Sequence, residues 1–188
     1  MSSPAPSDVT ALRIPQAVLD DLVAHARELS PSECCGFLAG VNGTVTRLYR
    51  IGNVVAHEGA VEQASFDDAK MDHLGRLSPE ERAEIAFVMD SHDMFKAVKD
   101  MRTLGLELQV VYHSHPHDPA RPSVTDIKIA SEWEENWSKL NLSLPDYLLV
   151  SLQDATQPDI KLYRIKERHV TPLAFSLDLP HHTELRSK

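Results

Sequence analysis

The stretch Leu106-Glu107-Leu108-Gln109-Val110-Val111-Tyr112-His113-Ser114-His115-Pro116-His117-Asp118-Pro119-Ala120-Arg121-Pro122-Ser123-Val124-Thr125-Asp126 decides how the rest of the chain is read. Its first seven residues alternate like a strand and run straight into two histidines. Side chains on a strand alternate faces, so His113 and His115 project to the same side. Pro116 has no N–H to give a ladder, so the strand ends there. A loop containing Pro119 and Pro122 follows, and Ser123 is placed to cap a helix from Val124 to about Trp137. Asp126 stands three residues after Ser123, and positions three apart at a helix start share a face. One hydroxyl and one carboxylate are therefore aimed together from the helix N-terminus.

Working outward, Pro15 opens a helical pattern in which Val18, Leu19, Leu22, Val23, Ala26 and Leu29 make one apolar face. Residues 34–40 read as a buried strand, Asn42-Gly43 as a hairpin turn, and 44–51 as the return strand. Asp90 or Ser91 caps a helix carrying Phe95, Val98 and Met101 or Leu104, which Gly105 stops. Beyond the histidines, 147–152 is a near-continuous apolar run, hence a central strand, and 160–165 alternates as another. Residues 57–89 fit no single period. Ser78-Pro79-Glu80-Glu81 has the form of a capping box, and 85–89 suits either that helix or a short strand. A long, partly mobile variable insertion is expected there. The chain then divides into a flexible leader (1–12), one α/β domain (13–170) and a C-terminal tail (171–188).

The 188 residues are 42% apolar and 25% charged, ordinary for a soluble globular domain. The net charge of −9 argues against nucleic acid as a partner, because phosphate binding needs a surplus of Lys and Arg on one face. No apolar run approaches the ~20 residues that span a bilayer, and residues 1–7 do not read as a secretory signal. Cys34 and Cys35 are the chain's two cysteines. Neighbours on an extended segment point to opposite faces and do not pair, so a reducing compartment, the cytoplasm, is expected. The simplest role for both is that of small, semi-buried apolar side chains.

Two imidazoles on one side of a strand end suit zinc, which takes three protein ligands plus water at catalytic sites. His113, His115 and Asp126 supply three, one zinc per chain. The base that activates the water has to come from elsewhere, and Glu33, just before Cys34-Cys35-Gly36, is the best candidate. Taken alone, each residue has a plainer reading: Ser123 as an N-cap, Asp126 as a first-turn carboxylate, Glu33 as a capping-box partner of Ser30. His117 reads as an exposed loop residue. His25, His57, His73, His92 and His169 have no motif around them, and Trp133 and Trp137, four apart, read as packing.

Glu33 followed by Cys-Gly, then His113-Ser114-His115-Pro116, then Ser123-Val124-Thr125-Asp126, closely resembles the signature of the JAMM (MPN-plus) zinc metallopeptidases. Asn53, Pro145 and the 147–152 strand resemble its bacterial, sulfur-carrier-processing branch. The resemblance implies a single cytidine-deaminase-like JAMM domain of the α/β class, a curved mixed sheet flanked by helices. It implies Glu33 as general base, Ser123 as oxyanion stabiliser and His113, His115 and Asp126 as zinc ligands. The implied substrate is the C-terminal Gly-Gly tail of a ubiquitin-like or sulfur-carrier protein. A catalytically inactive MPN-type scaffold or binding module is the alternative, and zinc stoichiometry with peptide turnover separates the two. A zinc deaminase would need His-x-Glu and Pro-Cys-x-x-Cys, and neither is present.

Overall fold

Strand β1 (Leu12–Pro15) leads directly into α1 (Gln16–Leu29), which turns Leu19, Leu22, His25 and Ala26 inward as its apolar spacing requires. The computed structural model describes residues 11–62, 64, 66–139 and 143–178. Strands β2 (Cys35–Val41) and β3 (Thr44–Ile51) form the expected hairpin. Asn42 and Gly43 both take positive φ, 50° and 72°, as the tightest hairpin turns demand. Then come α2 (Asp68–Gly75), α3 (Pro79–Ile85), α4 (Ser91–Leu104) and β4 (Glu107–His115). The chain continues through α5 (Val124–Lys139), β5 (Asp146–Ser151), β6 (Asp159–Lys166), β7 (His169–Leu173) and β8 (Phe175–Asp178).

The strands make one mixed sheet in the order β7-β6-β5-β4-β2-β3-β1-β8. β4 lies in its interior, antiparallel to β2 and parallel to β5, with α5 as the crossover. Register shifts at Leu38–Gly40 mark bulges, which bend a strand and add to the curl of the sheet. One face buries Ile14, Leu38, Tyr112 and Leu148 beneath Leu19, Leu22 and Ala26 of α1. The other buries Phe37, Val111 and Tyr147 beneath Ala97 and Met101 of α4 and Ala130 of α5. A mixed α/β sheet flanked by helices is what the resemblance implies, and that is what the strands and helices form.

Cys34 and Cys35 fall on opposite faces, one in each core layer. Both are wholly buried rather than semi-buried, because β2 is covered on both sides. Gly36 is steric: a Cβ there would stand 2.2 Å from the Tyr49 carbonyl oxygen and 2.6 Å from the Tyr112 ring.

The insertion carries secondary structure beyond the capping box read from sequence. It holds α2 and α3 around a small core of its own, Val55, Val61, Phe66, Leu74, Ala83 and Ala86, with Ile129 of α5 packed against it. Each short element gives one or two buried residues, so no period shows in the sequence. The capping box forms as read, Ser78 Oγ accepting from Glu81 N–H and Glu81 returning the bond to Ser78 N–H. Residues 86–88 are neither helix nor strand, and Met89 makes an isolated bridge to Asn53.

Strands β1, β7 and β8 are absent from the sequence reading, and β7 and β8 take in residues 171–173 and 175–178, read there as tail. The β6–β7 turn uses Glu167 and Arg168 at positive φ, residues that carry no turn signal. The leader residues 1–10 and the tail residues 179–188, His181 and His182 among them, lie outside the described residues. Among the described residues no helix is long and apolar enough to cross a membrane.

His25 lies buried on the inner face of α1 with Nδ1 2.9 Å from the Tyr112 hydroxyl. Burial, helped by the Arg50 charge, pushes its pKa from 6.5 down to about 4. The unfolded chain therefore binds the extra proton first. Stability is expected to be intact above about pH 6.5 and to fall as the pH drops toward 4. Denaturant midpoints across that range, in wild type and His25→Gln, check this. The acid-side slope should flatten in the variant, and parallel slopes would count against it.

Candidate metal centre

β4 carries His113 and His115 to its C-terminal end, and both rings are buried. Their Nε2 atoms stand 3.0 Å apart. Asp126, in the first turn of α5, brings Oδ1 to 3.3 Å from His113 Nε2 and Oδ2 to 3.6 Å from His115 Nε2. Tetrahedral zinc with bonds of about 2.0–2.1 Å places its ligand atoms about 3.3 Å apart. The three side chains thus bring one donor atom each to within 4.8 Å of one another, with nearest separations close to that spacing. His115 Nδ1 donates to the Pro119 carbonyl at 2.9 Å, which leaves the Nε2 lone pair for a metal. Donor type, spacing and tautomer all fit the ion. Among the described residues, this is the one such group of three.

The loop after Pro116 is held by the neighbouring strands. Ser151 Oγ donates to the Asp118 carbonyl, Tyr163 Oη to that of Ala120 and Leu152 N–H to that of His115. Ser123 then begins α5 in a reciprocal cap: its Oγ accepts from Asp126 N–H at 3.1 Å, and Asp126 Oδ2 accepts from Ser123 N–H at 2.6 Å. The plain reading of both residues and the metal-site reading hold together, since the cap aims the carboxylate at the imidazoles. The Ser123 hydroxyl accepts in that bond and keeps its own hydrogen.

Glu33 is buried two residues ahead of β2, so it precedes the strand rather than opening it. Ser30 does not cap with it; Glu33 N–H donates instead to the Ala83 carbonyl. Glu33, His115, Ser123 and Asp126 line one cleft of about 700 Å³. Phe66, Lys70 and His73 line it from the insertion, and Arg121 and Val124 from around the start of α5.

Burial raises the Glu33 pKa to about 8, with Asp126 adding to the rise and His115 opposing it. Burial works against charge on His115, but its bonds to Asp126 and Pro119 and the nearby Glu33 outweigh that, and its pKa rises to about 8. Burial likewise opposes charge on Asp126, yet the two histidines and Ser123 N–H hold its carboxyl well below the usual range. These are the values of the metal-free chain; a divalent cation favours the deprotonated form of each group.

His117 stays outside the cluster, exposed and 3.2 Å from Glu84. His73, which has no motif around it, is exposed and lines the cleft. Trp133 stacks on Trp137 and meets Phe37 edge-on, as packing residues. Three contributors carry no sequence signal of their role. Ser114 turns to the opposite face and accepts from Cys34 N–H at 2.8 Å, locking β2 to β4 beside the site. Phe87 lays its ring 4.7 Å from that of His113. Asn53, noted only for its resemblance, bonds the Glu33 carbonyl.

Residues 15–166 match the family model for prokaryotic homologs of the JAB domain. A CysO-cysteine peptidase of Mycobacterium tuberculosis is 29% identical over 163 residues, 87% of this chain and 88% of that protein. A probable TtuB-protein conjugate cleaving protease of Thermus thermophilus is 31% identical over 119 residues, 63% of each. A solved structure from Desulfitobacterium hafniense, 30% identical, superposes with a TM-score of 0.61 over 91% of this chain and 97% of that one.

Metal-free protein titrated with zinc is expected to take up one ion per chain, and His113→Ala or His115→Ala should abolish that uptake. Elemental analysis after dialysis reads the outcome; full occupancy in both variants would remove the assignment.

Proposed function

Because the chain belongs to the prokaryotic JAB (JAMM/MPN) domain family, we propose that it is a zinc-dependent metallopeptidase that hydrolyses an amide bond at the C-terminal tail of a ubiquitin-like, sulfur-carrier-type protein. The observation that carries this reading is the meeting of two imidazoles, a capping carboxylate and a separate buried carboxyl on one cleft. His113, His115 and Asp126 hold the ion, which when bound supplies Lewis acidity toward a carbonyl and makes water nucleophilic near neutral pH. Glu33 takes the proton from the attacking water and passes it to the leaving amine. The Ser123 hydroxyl, free to donate, steadies the negative charge that develops on the carbonyl oxygen.

The cleft runs between the insertion wall at Phe66 and Lys70 and the α5 start at Arg121 and Val124. An extended C-terminal tail, such as Gly-Gly, is the segment we assign to this cleft. Relatives named for CysO-cysteine and for TtuB-protein conjugates support a protein-linked amide as the substrate class.

Glu33→Gln keeps the size of the side chain but cannot accept a proton. Its zinc content should match wild type, while turnover of a ubiquitin-like protein extended beyond its Gly-Gly falls by about 10²-fold or more. Ser123→Ala should slow turnover by a smaller factor. Mass spectrometry of the product gives the rates, and a Glu33→Gln enzyme as fast as wild type would strip Glu33 of the role.

A further inference from the structure

The backbone of Glu33 is not held by the sheet. β2 starts only at Cys35, and the two main-chain groups of Glu33 find their partners elsewhere. Its N–H donates to the Ala83 carbonyl in α3 at 2.7 Å, and its C=O accepts from Asn53 Nδ2 at 3.0 Å. The same Asn53 nitrogen donates to the Ala86 carbonyl at 3.1 Å. Asn53 Oδ1 accepts from Val55 N–H and from Val88 N–H, both at 3.1 Å. A side-chain amide has two hydrogens to give and one oxygen with two lone pairs, and here all four places are taken.

Those four bonds join three stretches of chain that are remote in sequence. One is the approach to β2, one the exit from β3, and one the return of the insertion at 86–88. Between Val88 and Ala86 stands Phe87, whose ring packs on His113. One amide therefore links the backbone that bears Glu33 to the wall that bears on a metal-ligating imidazole.

We infer that Asn53 is a positioning residue, which through its saturated side-chain amide holds Glu33 and the 86–88 wall in register with the metal centre. The inference rests on the proposed hydrolase reading for its catalytic consequence, though not for its geometry. It also gives the insertion a second duty. Through Ala83 and Ala86 the insertion becomes part of what holds the base, and not only a surface beside the substrate.

Asn53→Asp is the discriminating variant. It keeps an acceptor toward Val55 and Val88 but sets an oxygen against the Glu33 and Ala86 carbonyls. The neck of the insertion retains Val54 N–H to Val88 O at 2.8 Å and Asp90 N–H to Gly52 O at 2.9 Å, so the fold has other ties there. Displacing a reacting group by an ångström costs up to about 10²-fold. Accordingly kcat should fall by about 10- to 100-fold with KM little changed and one zinc still bound. In a Glu33→Gln background the same substitution should cost almost nothing more, because there is no base left to misplace. Additive losses, or a kcat at the wild-type value in the folded fraction, would overturn the inference and leave Asn53 a purely structural residue.

An activity-free measurement separates this from the hydrolase reading. Amide exchange at Glu33 should accelerate in Asn53→Asp, and in Asn53→Ala as a second variant. Exchange at the wild-type rate in both would overturn the positioning role whatever the protein hydrolyses. Accelerated exchange in a protein whose wild type cleaves no ubiquitin-like substrate would uphold the positioning and sink the hydrolase reading alone.

Discussion

Two imidazoles set two residues apart on one strand have to lean to the same side, and the rest of this molecule is arranged around the gap between them. The gap is 3.0 Å wide between nitrogens and lies at the buried end of an interior strand. A third candidate ligand cannot come from the same strand, because Pro116 ends it. It comes from the first turn of the next helix, after a loop pinned to β5 and β6 by Ser151, Leu152 and Tyr163. The residue that caps the helix is also the candidate ligand, so the interaction that starts α5 also orients Asp126. Local helix chemistry and the convergence of Asp126 on the two imidazoles thus reinforce one another, a consistency that favours one well-defined arrangement.

Burial makes the electrostatics of this end of the sheet interdependent. Glu33, His115 and Asp126 each lose hydration, and each is pushed or pulled by the others. Without a cation, the acid is held toward its neutral form and the imidazole toward its charged one. The apolar wall of Phe87, Met89, Val111, Ile129, Trp133 and Tyr147 beside His113 and Asp126 keeps the effective dielectric low there. A divalent ion is the simplest way to balance three converging donors in such a place. In the proposed reaction, the same dryness strengthens every hydrogen bond offered to developing charge.

The insertion changes character once seen in three dimensions. It is a small packed unit with its own apolar centre, seated on Ile129 of α5. It supplies one wall of the cleft and a backbone partner for Glu33. Its core is too small to stand alone, since short elements gain stability mainly by packing on something larger. Docking on α5 and on the Asn53 neck is what makes it part of the site.

Some of this protein is written in near-neighbour relations, and there the sequence was sufficient. The face of α1, the Asn42-Gly43 turn, the Gly105 stop, the Ser78 box and the alternation of β4 into His113 and His115 all arise from contacts a few residues apart. Their chemistry leaves a periodic or positional mark. The offset of Asp126 from Ser123 belongs to the same class, which is why the three candidate ligands could be named together. What the sequence could not express are contacts with no fixed spacing. Strands β1, β7 and β8 exist because of their partners, and β7 is reached through a turn of Glu167 and Arg168 that carries no glycine. Phe87 against His113, and Ala83 and Asn53 on Glu33, join residues 20 or more apart, and the core of the insertion gathers residues from several short elements at irregular spacings. Only the folded chain decides such meetings, because the free energy that selects them comes from burial and hydrogen-bond satisfaction across the whole tertiary structure and not from any local propensity.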